Sequence, residues 1–432
     1  MATSAPPENV FERVGAPHGG RSLAIAQRSV RDAAVTYPLW PPLTAGCLAT
    51  SNEEIQYPLE VAYDFAGLDA ALFDDPVTPG LGRWAPLLPP LAEGLDLGAG
   101  GTPLLPTPSL ARFAGVDGEL YIKDESRNPT WSHKDRLNLC TVSAAVLTGA
   151  PGVVVASTGN HGASAAAYAA AAGLPCVVVA TAGSPVAALR FLGAYGAVLV
   201  PVDRDARWGV LGEIVDRLGF HPVSNRTRTH TGHPFGAEGY KTIAFELFLQ
   251  LGWRTPSQVF VPTGYGEALY GIWKGFLELR RLGLASSLPR MVACEPAARA
   301  PLGAALRNGL DAAHVPDSPT DAISIGCTTS GYRGVVAIRD SGGVAVQVTD
   351  QEMYEAMSAQ SRAGFWHELS SAAALAGLRQ LVTAGDRVEG PVVVVSTSSG
   401  FKNGSDGHRP PEPADASWES VRHRLRAGGL DA

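Results

Sequence analysis

Lys134 closes the segment Leu120-Tyr-Ile-Lys-Asp-Glu-Ser-Arg-Asn-Pro-Thr-Trp-Ser-His-Lys134. It follows an Asn-Pro-Thr turn and opens a helical run from Asp135 to Leu147. A lysine so placed is ordinarily a solvated surface group. Three glycine-bearing loops stand beside it as candidates for chemistry: Ser157-Thr-Gly-Asn-His-Gly162, Thr263-Gly-Tyr-Gly-Glu267 and Ser396-Thr-Ser-Ser-Gly400. Glycine lets backbone N–H groups approach an anion, and a helix N-terminus adds favourable partial charge. The same atoms also permit plain N-capped helix starts. Gly264, Gly266 and Gly271 allow a dinucleotide reading, with Glu295 ending the next strand, but the spacing is GxGxxxxG, not GxGxxG. A basic stretch carries Arg226, Arg228, His230, His233 and Lys241, either a solvated loop or a receiver for an anionic substrate group. A metal site at His221, His230, His233 and Glu238 fits no common spacing.

Each of the three loops follows a short apolar run: Val153–Ala156, Val259–Pro262 and Val392–Val395. Further such runs lie at Cys176–Ala180, Ala197–Val202 and Met291–Glu295, alternating with Ala/Leu-rich stretches. Continuous apolar strands between helices predict an α/β fold with parallel sheets covered on both faces. Ligands of such sheets sit at the carboxyl ends of strands, where these loops lie. Residues 1–95 are proline-rich and resist assignment, and 403–432 read as a polar tail with one short helix at Trp418–Ala427. Only 17% of the residues are charged, with 34 basic against 41 acidic, which argues against a nucleic-acid partner. Five scattered cysteines predict reduced thiols in a cytoplasmic protein. The first residues lack an apolar core, which predicts no secretory signal. Gly173 and Pro175 break the most apolar stretch, which predicts no membrane span.

Several motifs, in order, resemble the fold-type-II pyridoxal-phosphate enzymes and, among them, the threonine synthase family. GAGGTPLL (98–105) resembles the family's GEGGTPL, and KDESRNPTWSHKDR (123–136) its KDE…NPTGSFKDR, whose lysine carries the cofactor. ASTGNHGASAAAYAAAAG (156–173) resembles the SSGN loop and its helix, VPTGYGEALYGIWKGF (261–276) the phosphate loop, and STSSGFKN (396–403) the TGHGLKD segment. YPLEVAYDF (57–65) resembles the PLEVxYDY that follows a cysteine-bearing ribbon, and ELSSAAALAG (368–377) resembles EPxSAASLAGL.

The resemblance implies a tryptophan synthase beta subunit-like fold with two parallel-sheet domains. The N-terminal extension is expected at 1–95, with a degenerate ribbon that keeps only Cys47 and so holds no zinc. The large cofactor-binding domain is expected at 96–136 and 222–402, the small domain at 137–221, and the tail at 403–432. Lys134 is implied as the Schiff-base lysine and proton-transfer base, a role that needs a neutral amine. Asn160 matches the asparagine at the cofactor's ring hydroxyl oxygen. Gly264, Tyr265, Gly266, Glu267 and Ala268 match the phosphate cradle, and Thr397 the hydroxyl at the pyridine nitrogen. Ser157, Thr158, Gly159 and His161 match the loop that receives the substrate carboxylate. Ser370 and Ser371 are expected near the site, with Glu368 in a capping role.

The sequence also departs from the family. Glu267 and Ala268 replace glycine or asparagine, and Glu267 is expected to point away from the phosphate. Trp131 stands where glycine is usual, which would narrow the substrate pocket. His133 stands where phenylalanine is usual, a ring to stack on the cofactor or shuttle a proton. Arg226 and Arg228 are expected to bind the anionic part of the substrate. The implied function is a threonine synthase-like lyase acting on an amino acid with an anionic leaving group, O-phosphohomoserine or an analogue. The alternative is a serine/threonine dehydratase or diaminopropionate ammonia-lyase. A homodimer is expected, with only the small-molecule substrate as a further partner.

Overall fold

The computed structural model describes residues 21–184, 186–402 and 415–431. The chain divides at Lys402 into two compact units. In chain order the first unit has strands β1 (Ala24–Ser29), β2 (Thr36–Pro38), β3 (Leu59–Tyr63), β4 (Leu104–Pro106), β5 (Leu120–Asp124), β6 (Val153–Val155) and β7 (Cys176–Thr181). These are followed by β8 (Val198–Val202), β9 (His221–Pro222), β10 (Gln258–Pro262), β11 (Arg290–Pro296), β12 (Val344–Val348) and β13 (Val392–Ser396). The second unit contains the helix Trp418–Ala427, capped by the Ser417 hydroxyl, with the bounds expected from the sequence.

The larger sheet runs β12-β11-β10-β13-β5-β4, parallel throughout except for β4. Its position in the chain order is informative. Parallel β10, β13 and β5 are neighbours, so the loops that leave their carboxyl ends emerge side by side. Those loops carry Gly264–Ala268, Thr397–Lys402 and Lys134. The smaller parallel sheet runs β8-β7-β6-β9, and the fourth loop, 157–162, leaves β6. The apolar runs of β6, β10 and β13 are buried along their whole length, as strands covered on both faces must be.

Residues 21–95 are more ordered than their composition predicts. They contain a three-stranded antiparallel sheet, β2-β1-β3. Its β3 buries Leu59, Val61 and Tyr63, but the buried positions of β1 are the polar Gln27 and Ser29. Gln27 donates to the carbonyls of Pro38 at 2.8 Å and Pro41 at 2.9 Å, and accepts from Leu43 N at 2.8 Å. A buried amide satisfied on both ends is tolerated in a core. Charge then fastens this sheet to helices Gly236–Gln250 and Glu267–Arg281. Glu238 accepts from Val61 N at 3.0 Å and from the Tyr63 hydroxyl at 3.1 Å, and Lys274 donates to Val61 O at 2.6 Å. Those two helices approach closely at Gly271, where a Cβ would stand 2.5 Å from Ala237 O. Cys47 is buried, with its Sγ 3.5 Å from the Tyr37 hydroxyl. Among the described residues, no helix is long and apolar enough to cross a membrane.

Candidate active site

Helix Lys134–Leu147 begins at the candidate lysine, and the turn before it is held from several sides. Asp135 accepts from both Thr130 N and the Thr130 hydroxyl, each at 2.6 Å. Trp131 O accepts from Ser399 N at 3.1 Å and from the Ser398 hydroxyl at 3.1 Å. His133 N and its ring Nδ1 both reach Thr397 O, at 2.9 and 3.0 Å. A carbonyl only accepts, so Nδ1 carries the proton. One turn of helix further on, the buried Arg136 pairs with Glu125 and Glu246. The loops after β5 and β13 are thus sewn together around Lys134.

Lys134 Nζ donates to the Tyr240 hydroxyl at 3.0 Å, and this phenol is its one hydrogen-bond partner among the described residues. Burial pushes its pKa down, against the opposing pull of Glu267. An amine biased toward its neutral form is a nucleophile. The His133 ring stacks on Tyr240, with centroids 5.3 Å apart, and its pKa is pushed well down by burial and by Lys134. One face of the His133 ring is thus taken by Tyr240. Tyr240 was not singled out in the sequence, because 106 residues separate it from Lys134.

The loop after β6 packs tightly on itself: a Cβ on Gly162 would meet Ser157 O at 2.0 Å. The N–H groups of residues 157–162 have no protein acceptor among the described residues. His161 Nε2 is buried without a partner, and burial followed by Lys134 brings its pKa to about 3, so the ring is neutral. The Thr158 hydroxyl instead accepts from Thr181 N at 3.0 Å, within the smaller sheet. Asn160 joins three loops. Its Nδ2 donates to both Glu368 oxygens at 3.1 Å, and its Oδ1 accepts from Ser398 at 3.0 Å and from Lys402 Nζ at 2.8 Å. Glu368 precedes helix Leu369–Thr383 but makes no capping bond, and its bonds to Asn160 replace that expected role. Ser371 lies 2.9 Å from the Thr397 hydroxyl and accepts from Ser398 N at 2.9 Å.

After β10, Gly266 takes φ +85°, a conformation open to glycine, and a Cβ there would stand 2.8 Å from Gly334 Cα. The N–H groups of residues 264–268 also have no protein acceptor among the described residues. The Glu267 carboxylate pairs with the buried Arg333 at 3.2 Å, over Gly232. Burial opposes its charge, but His230 and Arg333 outweigh this, so its pKa is lowered. Tyr265 stacks on His230, with centroids 4.0 Å apart.

Other candidates are drawn elsewhere. Arg226 pairs with Asp216 at 3.0 Å on helix Arg207–Leu218, and Arg228 is exposed. Lys241 is buried against Glu238 and Glu278, each at 2.9 Å. His233 faces His221 at 2.9 Å, away from Glu238, so the four metal candidates do not converge. Glu295 accepts from Leu302 N at 2.9 Å and Gly303 N at 2.7 Å, which commits both oxygens to a helix start and closes the ribose reading.

These groups fit pyridoxal phosphate. The 264–268 cradle offers N–H groups to a phosphate, the 157–162 loop offers a second set to a carboxylate, and Lys134 is an amine with no carboxylate partner. On the same loop the buried His161 Nε2 has no partner among the described residues and leaves room for a polar contact.

The family model described as "Pyridoxal-phosphate dependent enzyme" matches residues 95–398. Threonine synthase of Methanosarcina acetivorans is 33% identical over 382 residues, spanning 85% of this chain and 92% of the relative. Threonine synthase of Methanocaldococcus jannaschii is 34% identical over 362 residues, spanning 80% and 87%. Among solved structures, maize serine racemase superposes with a TM-score of 0.61 at 18% identity, covering 76% of this chain and 93% of that one. An O-ureido-L-serine synthase variant superposes with a TM-score of 0.60 at 21% identity, covering 79% and 100%. These two support the fold alone. The chain belongs to the pyridoxal-phosphate dependent enzymes, within their threonine synthase family, and is a lyase dependent on that cofactor.

Proposed function

We propose that this lyase works on an amino acid with an anionic leaving group, of which O-phosphohomoserine is the reference case, and replaces that group with water to form threonine. The observation that carries the reading is Lys134, an amine held by a neutral phenol beside two loops of free N–H groups. Bound pyridoxal phosphate supplies the electron sink that makes the substrate hydrogens next to the amino group acidic. Lys134 holds the cofactor and then takes and returns the proton at Cα. The N–H groups of Gly264, Tyr265, Gly266, Glu267 and Ala268 bind the phosphate, with Glu267 kept aside by Arg333. Asn160 would bond the ring hydroxyl oxygen through Nδ2, the group that also donates to Glu368. The Thr397 hydroxyl, supported by Ser371, would serve the pyridine nitrogen as a neutral partner. Ser157, Thr158, Gly159 and His161 hold the substrate carboxylate.

We also infer the domain division of the sequence reading: β6–β8 fall within 137–221, with β9 at its edge, and β4, β5 and β10–β13 outside it. Five free thiols support a reducing, cytoplasmic compartment, and the resemblance supports a homodimer.

The test is direct. Loaded with pyridoxal phosphate, the protein should show a visible absorption band and release phosphate from O-phosphohomoserine as threonine forms. Lys134→Ala should abolish both band and turnover. Release of ammonia and a keto acid from serine or threonine, with no phosphate release, would replace this reading by the deaminating alternative.

A further inference from the structure

Lys402 is a second lysine in the same cluster, and neither the sequence motifs nor the comparisons give it a task. Its ammonium donates to Asn160 Oδ1 at 2.8 Å and stands 5.7 Å from the Phe191 ring centroid. It is half-buried and forms no ion pair among the described residues. The groups around it are already committed. Glu368, at the start of helix Leu369–Thr383, places both oxygens on Asn160 Nδ2 and one also 3.3 Å from the Ser324 hydroxyl. Asp135, on helix Lys134–Leu147, accepts from Thr130 and Ser164. His133 is bonded to Thr397 O and neutral. Helix Val186–Ala194 meets Lys402 through Phe191, an uncharged ring.

A half-buried ammonium bonded to one neutral oxygen is incompletely compensated, because desolvation penalises charge and an amide oxygen repays less than an anion does. It therefore gains most from an arriving anion. The basic residues expected to serve as that receiver lie elsewhere: Arg226 on Asp216, Lys241 on two glutamates.

We propose that Lys402 receives an anionic group of the substrate, a phosphate, phosphonate, sulfonate or carboxylate, on the Asn160 side of the site. The proposal rests on the function given above, since it takes the cluster around Lys134 to be where substrate binds. Burial, countered in part by Glu368 and Asp135, lowers the Lys402 pKa to about 8. The receiver is thus charged below that pH and empties of charge above it.

Sulfate is a suitable probe, since its charge is constant across this range, and the cofactor-loaded full-length enzyme keeps the phosphate cradle filled. Calorimetry should show sulfate affinity falling as the pH rises through about 8. Lys402→Arg should hold its affinity across the same range. Lys402→Gln, which can still hydrogen-bond Asn160, should bind sulfate about tenfold more weakly at neutral pH. The KM values then identify the group received. A rise in the KM for O-phosphohomoserine with no change in the inhibition constant of threonine, the product that lacks the distal anion, assigns the distal anion, and a rise in both assigns the α-carboxylate. Sulfate affinity that is independent of pH in the wild type, or unmoved in Lys402→Gln with the visible band intact, overturns the proposal. Absence of the band itself would instead sink the cofactor-based function, so the two failures are separable.

Discussion

The interior of this protein holds lysines of two kinds, and they differ in what their ammonium groups touch. Beneath the N-terminal sheet, Lys241 meets Glu238 and Glu278, each at 2.9 Å, while Lys274 meets Glu238 at 2.5 Å and Glu60 at 3.2 Å. Around the site, Lys134 meets a phenol and Lys402 an amide oxygen. Lys241 and Lys274 are buried and Lys134 and Lys402 half-buried, but the larger difference is in compensation. In the first region each charge is matched, so the network fastens helices to a sheet and has nothing left to respond with. In the second, charges and N–H groups stay underused, and the free energy of satisfying them is left for ligands.

The strongest way to break this comparison is to unbalance the matched region. Glu238→Gln leaves Lys241 and Lys274 short of a carboxylate without emptying the space. Removing one partner of a buried ion pair costs about 3 to 5 kcal/mol, so the urea midpoint should fall well below that of the wild type. The acid limb should change as well. Burial works against the Glu238 charge, but Lys241 and Lys274 outweigh it and lower the pKa to about 2. A carboxyl depressed in the folded state contributes stability above its ordinary range and loses it as the pH falls toward 2. Glu238→Gln should therefore lose less stability on acidification. An unchanged midpoint would mean that the network fastens nothing.

The same contrast explains what the sequence could show. Strands of continuous valine, such as 153–155 and 392–395, are visible because burial on both faces demands an apolar run. Lys134 is visible because its turn and helix are local. The N-terminal sheet is hidden because β1 buries only Gln27 and Ser29 and β3 sets Glu60 among its apolar Leu59, Val61 and Tyr63, so polar residues whose partners lie elsewhere in the chain interrupt the apolar pattern. A run of cations at 226–241 looks like one receiver in sequence, yet helix geometry sends Lys241 inward while Arg226 turns to Asp216. Lys402 presents the reverse case. Its residue type was readable, but its want of a carboxylate depends on loops more than 200 residues apart, since Asn160 lies 242 positions away.

A smaller effect is expected inside the site. Tyr240→Phe removes the one oxygen that Lys134 reaches and leaves the ring that stacks on His133. A hydrogen bond to a charged donor is worth about 1.5 to 3 kcal/mol, and it favours the ammonium. The variant should thus hold its lysine neutral to lower pH. The rate of pyridoxal-phosphate uptake against pH, followed in the visible band, reads this shift. The melting temperature should move little, in contrast to Glu238→Gln. An alkaline shift, or none, would show that the phenol does not govern the charge of Lys134.

The smallest effect concerns the backbone rather than charge. Trp131 has φ +61°, in the left-handed region, which explains why glycine is usual where this chain has tryptophan. Such a conformation costs a bulky residue about 1 to 2 kcal/mol, and the compensation on its own side is slight: the indole is 46% exposed and meets Phe191 at 6.4 Å between centroids. The turn is imposed by its neighbours, through the bonds of Trp131 O to Ser398 and Ser399. Large-to-small changes usually destabilise, by about 3 to 5 kcal/mol for a buried tryptophan. Here Trp131→Gly relieves strain and gives back part of that gain as unfolded-chain entropy and lost ring contact. Thermal unfolding should therefore show a stability unchanged or raised by up to about 1 kcal/mol. The range of accepted amino acids should widen if the indole limits entry. A melting temperature lowered by several degrees would instead make Trp131 a packing residue, and would move it from the strained region of this molecule to the matched one.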